Sequence, residues 1–328
     1  MQDPVERLLP PAVRAALARR ELLVRRPVAG GRHGVHRSLR PGVGRDFRDY
    51  RAYVPGDDPR RLDWRAAARS DRLVVRQTES QEELTITWLV DGSGGMGYGE
   101  GEARKWARAG TVVAALSSLA LRQADGVGVV IGREGSVDAE LIDASTRRDR
   151  LRALAGRFVG AEPAGACPWE AMLEAAAPRL RPRSLVLAVS DFLDPGAGQV
   201  ASGEGERAAD EALLRGLGLM RAAGSDVVLI QILHRDELSF PWEQPRVLRL
   251  EDPRGRRPLV EGPGASMRDA YLERLGAHLR WLEGSCERGG LLLVRLVSDG
   301  DPAGQLIDLL GRLAGAPSEV SLGEEGRA

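Results

Sequence analysis

Residues 84–95 of this chain, LTITWLVDGSGG, contain its clearest indication of a fold class. The first seven residues of this stretch are apolar or β-branched, a composition that predicts a buried strand. Asp91 follows at once, and the glycines after it predict a tight loop that leads into a helix. A strand that ends at an aspartate and turns through such a loop is typical of a parallel sheet with a site at its edge.

The same alternation of strand and helix continues through the rest of the chain. Apolar runs predict further buried strands at 184–191, 226–233 and 291–297. A short turn at 133–135 predicts a hairpin of two strands, 127–132 and 136–142. Amphipathic helices are predicted at 102–123, 147–157, 168–180, 206–222, 267–287 and 303–314. This pattern predicts an α/β fold with a doubly wound, mainly parallel sheet and one antiparallel edge strand.

The length and the pattern together predict two domains. A chain of 328 residues corresponds to about two domains of ordinary size. Residues 1–82 are rich in arginine and predict a small N-terminal module with a short helix and strands. Residues 83–316 carry the α/β pattern, and residues 317–328 are expected to form a flexible tail.

The composition excludes several classes of protein. Lys and Arg total 47 and Asp and Glu total 47, so the formal net charge is zero, which argues against a dedicated nucleic-acid or membrane-surface protein. Two cysteines are too few for a disulfide scaffold, and no apolar run approaches the ~20 residues of a membrane span. These features predict a soluble cytoplasmic protein.

The basic residues are distributed unevenly along the chain. Residues 1–76 hold 18 arginines against 9 acidic residues, and the remainder carries the compensating negative charge. This polarity favours either pairing between the two halves or a basic face for an acidic partner. Lys105 is the only lysine among the 47 basic residues, a bias that indicates a GC-rich genome.

Two aspartates are predicted to meet at one edge of the sheet. Asp91 follows the first strand of the sheet, and Asp191 ends a later strand. Because the carboxyl ends of parallel strands lie at the same edge, the loops that begin at these residues form the candidate site. Ser93 and Gly94 belong to the first of these loops.

The sequence around these aspartates resembles a known family. The strand, the DGSGG loop and the motif SDFLDP at 190–195 are similar to a von Willebrand factor A domain, in which a DxSxS loop contributes to a metal-ion-dependent adhesion site. The upstream stretch YVPGDDPRRLDW, residues 53–64, resembles the motif that precedes this domain in domain-of-unknown-function family fifty-eight, DUF58. The resemblance implies a von Willebrand factor A-like fold with Rossmann-like layers.

The resemblance also implies a divalent-cation site, from which two ligands are missing. Asp91, Ser93 and Asp191 match the family's positions for Mg²⁺, whose shell of oxygen ligands is completed there by a partner's carboxylate. The second serine of DxSxS is Gly95 here, and an expected threonine is Cys167, whose thiol suits Mg²⁺ poorly. We therefore expect a degenerate site that binds Mg²⁺ weakly or not at all, and no other cofactor. The alternative is a hydrogen-bonded polar loop without any metal role.

Catalytic interpretations of the first loop have little support. Gly92, Gly94 and Gly97 satisfy the pattern G-x-G-x-x-G, but Asp91 would repel a pyrophosphate, and no acidic strand end follows at the required spacing. Ser93 lacks the G-x-S-x-G context of a hydrolase nucleophile. We expect no catalytic residues.

A second candidate surface lies upstream, between residues 51 and 65. Acidic, basic and aromatic side chains are interleaved there: Asp57, Asp58, Arg60, Asp63 and Trp64. The pattern fits a docking surface, a phosphate-binding arginine cluster, or an ion network that clamps the N-terminal module onto the α/β domain. Trp64 is predicted to be buried.

These observations favour a non-enzymatic protein-interaction module. The family resemblance implies an adaptor that works with a MoxR-type AAA+ ATPase in the assembly or maturation of a client protein. Asp91, Ser93, Gly94 and Asp191 are the expected partner-binding residues. The alternative is a hydrolase or nucleotide-dependent enzyme that uses the loops at Asp91 and Asp191. No nucleic-acid partner and no membrane span are expected.

Overall fold

The structure is a computed structural model of the 328-residue chain. It describes residues 3–24, 41–54, 62–64, 73–79, 84–142, 147–180, 184–193, 208–242, 247–255 and 260–315. The chain divides into two units, one made of residues 1–24 and 84–328 and the other of residues 25–83. We call the first the α/β unit and the second the small unit.

The strands of the described residues form three separate sheets. They are β1 (Pro41–Ala52), β2 (Val74–Glu79), β3 (Thr85–Asp91), β4 (Gly126–Arg133), β5 (Ser136–Ile142), β6 (Leu185–Ser190), β7 (Asp226–Leu233), β8 (Val247–Leu250), β9 (Val260–Pro263) and β10 (Leu292–Val297). The six-stranded sheet has the order β10-β7-β6-β3-β4-β5, and every adjacent pair is parallel except β4 and β5. This order confirms the predicted mainly parallel sheet with one antiparallel edge strand.

Helices cover both faces of the six-stranded sheet. Those in the described residues are α1 (Pro4–Leu8), α2 (Pro11–Leu17), α3 (Lys105–Arg122), α4 (Arg147–Gly160), α5 (Trp169–Ala176), α6 (Ala208–Ala222), α7 (Arg235–Ser239), α8 (Gly264–Gly289) and α9 (Pro302–Leu313). Along β3, Ile86 and Trp88 pack with α3, α4 and α9, whereas Leu89 packs with α5, α6 and α8 on the opposite face. None of the helices that the structure describes is long and apolar enough to cross a membrane.

The central pair of elements, β3 and α3, follows from the sequence pattern. Every residue of β3 is buried, as its continuous apolar and β-branched run predicts. In α3, Val112, Leu116 and Leu119 recur at helical spacing and lie in the core on one side of the sheet. The helix begins at Lys105, so this residue stands where the loop after β3 ends.

The first two helices belong to the α/β unit, which corrects the predicted N-terminal module of residues 1–82. Leu8, Val13 and Leu17 of these helices are buried in the core cluster that contains α3. Arg122, at the end of α3, donates a hydrogen bond to the Leu17 carbonyl at 2.8 Å. The apolar face of this arginine-rich segment therefore joins the larger core, and the small unit contains residues 25–83 only.

The small unit contains an antiparallel pair of strands, β1 and β2, with Ala52 opposite Val74. β1 is a single twelve-residue strand. Trp64 is 65% exposed, so the prediction that it is buried is wrong, because its neighbours are charged rather than apolar. Several predictions fall outside the described residues, namely those for Asp57, Asp58, Arg60 and the tail 317–328.

The sequence did not predict the hairpin that β8 and β9 form. The two strands pair antiparallel, with Val247 opposite Pro263 and Leu250 opposite Val260. They form their own two-stranded sheet and are not hydrogen-bonded into the six-stranded one. We call residues 247–263 the hairpin arm.

Candidate functional site at the carboxyl edge of the sheet

Asp91 and Asp191 lie together at the carboxyl edge of the sheet, as predicted. β3 and β6 are adjacent parallel strands, with Val90 opposite Val189 in the register. The hydroxyl of Ser190, the last residue of β6, donates a hydrogen bond to Asp91 Oδ2 at 2.6 Å. The two strand-end loops are therefore directly connected.

The loop after β3 folds around the Asp91 carboxylate. Asp91 Oδ1 accepts a hydrogen bond from the backbone N–H of Ser93 at 2.7 Å, and the Gly94 N–H donates to the Gly165 carbonyl at 2.9 Å. Ser93 is fully buried, and its hydroxyl has no hydrogen-bond partner among the described residues. A buried polar group without a partner costs about 1–3 kcal/mol, so this loop holds unused hydrogen-bonding capacity.

The loop after β6 contains a strained residue that fixes Asp191. Phe192 has φ +49°, in the left-handed region that non-glycine residues seldom adopt. Ser190 Oγ accepts a hydrogen bond from the Phe192 N–H at 2.9 Å, and His278 Nε2 lies 2.6 Å from the Phe192 carbonyl oxygen. The Leu193 N–H then donates to Asp191 Oδ1 at 3.0 Å. These bonds hold the Asp191 carboxylate in place at the edge of the sheet.

Two basic side chains that sequence reasoning missed bind Asp191. Lys105 Nζ lies 2.8 Å from Asp191 Oδ2, and Arg254 Nη2 lies 2.9 Å from Oδ1 and 3.1 Å from Oδ2. Lys105 is 1% exposed, and the side chain of Arg254, which comes from the loop of the hairpin arm, is 10% exposed. The available signal was Lys105 itself: one lysine in a chain of arginines indicates a position that requires a compact ammonium group.

A third carboxylate, Glu237, shares the Lys105 ammonium. Glu237 Oε1 lies 2.7 Å from Lys105 Nζ, and its other oxygen accepts the backbone N–H of His234 at 2.8 Å. His234 Nδ1 in turn accepts the Asp236 N–H at 3.2 Å, which completes a capping box at the start of α7. The cap of this short helix thereby directs Glu237 toward Lys105.

The buried charges shift pKa values in opposite directions. Burial raises the pKa of Asp91, and the neighbouring Asp191 charge raises it further. Burial alone would also raise the pKa of Asp191, but Lys105 and Arg254 outweigh it and hold this pKa below its usual range. Burial opposes the charge of Lys105, yet Asp191 and Glu237 keep its pKa above the usual value. When Asp91 is protonated, two cations therefore face two carboxylates.

The geometry does not fit the divalent cation that the family resemblance implies. The Asp191 oxygens already bind two cations, and Mg²⁺ beside them would meet like charge. A Cβ atom at Gly95 would overlap the Arg254 guanidinium, so this group fills the space of the missing serine. Cys167 lies in an apolar core cluster, with its Sγ 3.5 Å from Met172 Sδ. The predicted weak or absent binding of Mg²⁺ stays a prediction.

The upstream charged segment is part of the small unit. Asp63 and Trp64 are described there, and the other members of the predicted network are not. The roles predicted for this segment stay predictions.

Proteins similar to this chain include curated mycobacterial relatives. An uncharacterised protein of Mycobacterium tuberculosis, Rv1480, is 32% identical over 189 residues, which are 56% of this chain and 59% of that protein. An uncharacterised protein of Mycobacterium bovis, Mb1516, matches to the same extent. The chain thus spans 59% of the length of these relatives.

Solved structures similar to this chain include two proteins of low sequence identity. BatB from Bacteroides thetaiotaomicron has a TM-score of 0.39 and 10% identity, covering 70% of this chain and 99% of that chain. The SpRpn10 VWA domain has a TM-score of 0.36 and 12% identity, covering 69% of this chain and 95% of that chain.

A protein-family model matches most of the chain. The model described as "Protein of unknown function DUF58" matches residues 49–278, more than half of the sequence. The match includes both strand-end loops and the whole upstream motif, and it confirms the family that these features predicted. The chain belongs to the DUF58 family.

Proposed function

We propose that this chain is a non-enzymatic protein-interaction module that binds its partner through the carboxyl edge of the six-stranded sheet. The observation that carries the proposal is the pairing of the charged groups there. Lys105 and Asp191 are each 1% exposed and bound to one another, so neither is available as a base or nucleophile. No base is hydrogen-bonded to the Ser93 hydroxyl in the described part of the chain. An ordered polar edge without a nucleophile–base pair suits recognition better than catalysis.

The partner we propose is a MoxR-type AAA+ ATPase, with this chain as its adaptor in the assembly or maturation of a client protein. The family resemblance motivates this choice. The rim of the first loop is accessible, since Gly97 and Tyr98 are half-buried and Glu100 is exposed. A partner can therefore reach the loop backbone, which the buried Asp91 carboxylate holds in place.

Capture from the native host, with mass spectrometry, tests this function. Wild-type chain as bait should enrich an AAA+ ATPase. Asp91→Ala with Asp191→Ala should weaken the binding roughly thirtyfold, because the loops that the partner contacts lose the buried carboxylates that hold them in place. The comparison pair, Arg60→Ala with Arg61→Ala, alters the upstream segment and should bind like wild type. Each variant must first show a cooperative melting transition. If the arginine pair loses the ATPase and the aspartate pair does not, the edge is not the partner surface.

A further inference from the structure

The carboxyl edge is occupied by an arginine from a distant part of the chain. Arg254 Nη2 contacts both Asp191 oxygens, at 2.9 and 3.1 Å. The loop that it touches is made of glycine at the points of contact. A Cβ atom at Gly94 would overlap the Pro253 carbonyl oxygen, and one at Gly95 would overlap the Arg254 guanidinium. The edge therefore has the shape and the charge of a receptor for one guanidinium group.

The segment that carries this arginine is a turn with its own hydrogen bonds. The Gly255 N–H donates to the Asp252 carbonyl at 2.9 Å, and Asp252 Oδ1 accepts the Arg254 N–H at 3.0 Å. The turn lies in the hairpin arm, whose strands β8 and β9 form a sheet separate from the six-stranded one. Two-stranded hairpins are only marginally stable by themselves, and removing this one would break no hydrogen bond between strands of the six-stranded sheet.

Withdrawal of the arm changes the charge of the edge. Without Arg254, two carboxylates, Asp191 and Glu237, share the single ammonium of Lys105. Such an edge repels an acidic group and attracts a cationic one. A guanidinium, with its planar array of donors, matches a carboxylate better than an ammonium does.

The hairpin arm also offers apolar surface to a protein. Val247 is 71% exposed and Leu250 is 36% exposed, and Trp242, just before the arm, is 36% exposed. Exposed apolar side chains beside a buried anchor are typical of protein-binding surfaces.

We propose that Arg254 is an internal pseudo-ligand and that a partner protein binds by displacing residues 252–255 and inserting its own arginine against Asp191. The closed edge leaves the Ser93 hydroxyl without a partner among the described residues, so an incoming side chain finds an additional hydrogen-bonding group there. This inference rests on the proposed function and names the partner's recognition element.

Chemical complementation of the full chain tests the receptor. Arg254→Ala removes the internal ligand, and N-ethylguanidinium at about 50 mM should raise the melting temperature of this variant by about 1–2 °C if it binds with a Kd of about 10 mM. Wild type should show no such shift, nor should Arg249→Ala, which removes an arginine of the same arm whose side chain is 65% exposed. Ethylammonium is the matched probe and should have a smaller effect. Should Arg254→Ala fail to fold, Arg254→Gln keeps more of the side chain.

Equal shifts in all three proteins, or equal effects of the two probes, overturn the guanidinium receptor. Displacement is tested with a dye-labelled acetyl-Asp-Pro-Arg-Gly amide, which should bind Arg254→Ala at least tenfold more tightly than wild type. The same peptide with alanine for arginine should not bind. Equal binding of the arginine peptide to both proteins overturns the displacement. If complementation fails, the guanidinium receptor is wrong, and the capture experiment still tests the ATPase. If complementation succeeds and capture fails, the receptor stands and the proposed ATPase partner is wrong.

Discussion

Replacing Lys105 with methionine should destabilise the α/β unit strongly. Methionine is an unbranched side chain that adapts to buried space, so the change removes the charge and largely preserves the packing. Asp191 and Glu237 then lose the ammonium that they share at 2.8 and 2.7 Å. Removing one partner of a buried ion pair costs about 3–5 kcal/mol, because the remaining charge is left uncompensated.

The structure places the cost near the lower end of this range. Arg254 still contacts Asp191 after the substitution, and the Glu237 side chain is 14% exposed and retains some hydration. For a chain of 328 residues the entropy of unfolding is about 0.7 kcal/mol per kelvin, so a loss of about 3 kcal/mol lowers the melting temperature by about 4 °C.

Differential scanning calorimetry at neutral pH measures this shift. The matched control is Arg152→Met, which breaks an ion pair with Asp3 whose arginine is 64% exposed and should lower the melting temperature much less. Lys105→Met combined with Asp191→Asn should recover part of the loss, since the uncompensated carboxylate is then neutral. If the melting temperature of Lys105→Met is unchanged, or if the losses of the double variant simply add, the Lys105 ammonium does not stabilise the fold by compensating Asp191.

Further predictions concern the two aspartates and the glycine loop. Gly95→Ser should lower the melting temperature because its side chain overlaps the Arg254 guanidinium, and adding Arg254→Ala should return part of that loss. At pH 7, Asp91→Asn should lower the free energy of unfolding by less than about 1 kcal/mol, because asparagine resembles the protonated form that burial favours. Asp191→Asn should lower it by about 3 kcal/mol, because the two cations lose the carboxylate that they share; urea denaturation measures both values. The pH dependences should be opposite. Folding lowers the pKa of Asp191, so the stability that this residue contributes is present above about pH 4 and declines as the pH falls further. Folding raises the pKa of Asp91, so the stability that this residue contributes grows as the pH falls from neutrality toward about 4. Parallel profiles for the two asparagine variants would contradict this assignment. Calorimetry should detect no Mg²⁺ binding tighter than about 100 µM; tighter binding that Asp91→Ala abolishes would show that the edge accepts a metal.

The sheet and its long helices were predictable because their buried residues recur at regular spacing. β3 is buried throughout, and α3 buries one continuous face. The hairpin arm and α7 lack such patterns. β8 is four residues long and mostly exposed, and α7 is a five-residue helix whose described stabilising feature is its capping box. Short elements that are stabilised by hydrogen bonds leave little periodicity in a sequence.

The candidate site was predictable only in part, for a related reason. Asp91 and Asp191 each follow an apolar strand, so parallel topology alone brings them together. The cations that pair with Asp191 and Glu237 come from distant parts of the chain: Lys105 is 86 residues from Asp191 and 132 from Glu237, and Arg254 is 63 residues from Asp191. Ion pairs over such separations have no local sequence pattern, and only the rarity of lysine indicated one of them.

Because Lys105 is buried, the reactivity of its amine reports how often the edge of the sheet opens. Lys105 carries the only ε-amine of the chain, that amine is 1% exposed, and its raised pKa keeps it protonated and therefore non-nucleophilic. Acylating reagents reach it only in molecules whose edge has opened, so the labelling rate counts opening events as amide exchange counts the opening of a helix. By the same reasoning, lysine acetylation or isopeptide attachment of a client would mark only those copies of the chain that have already opened or unfolded.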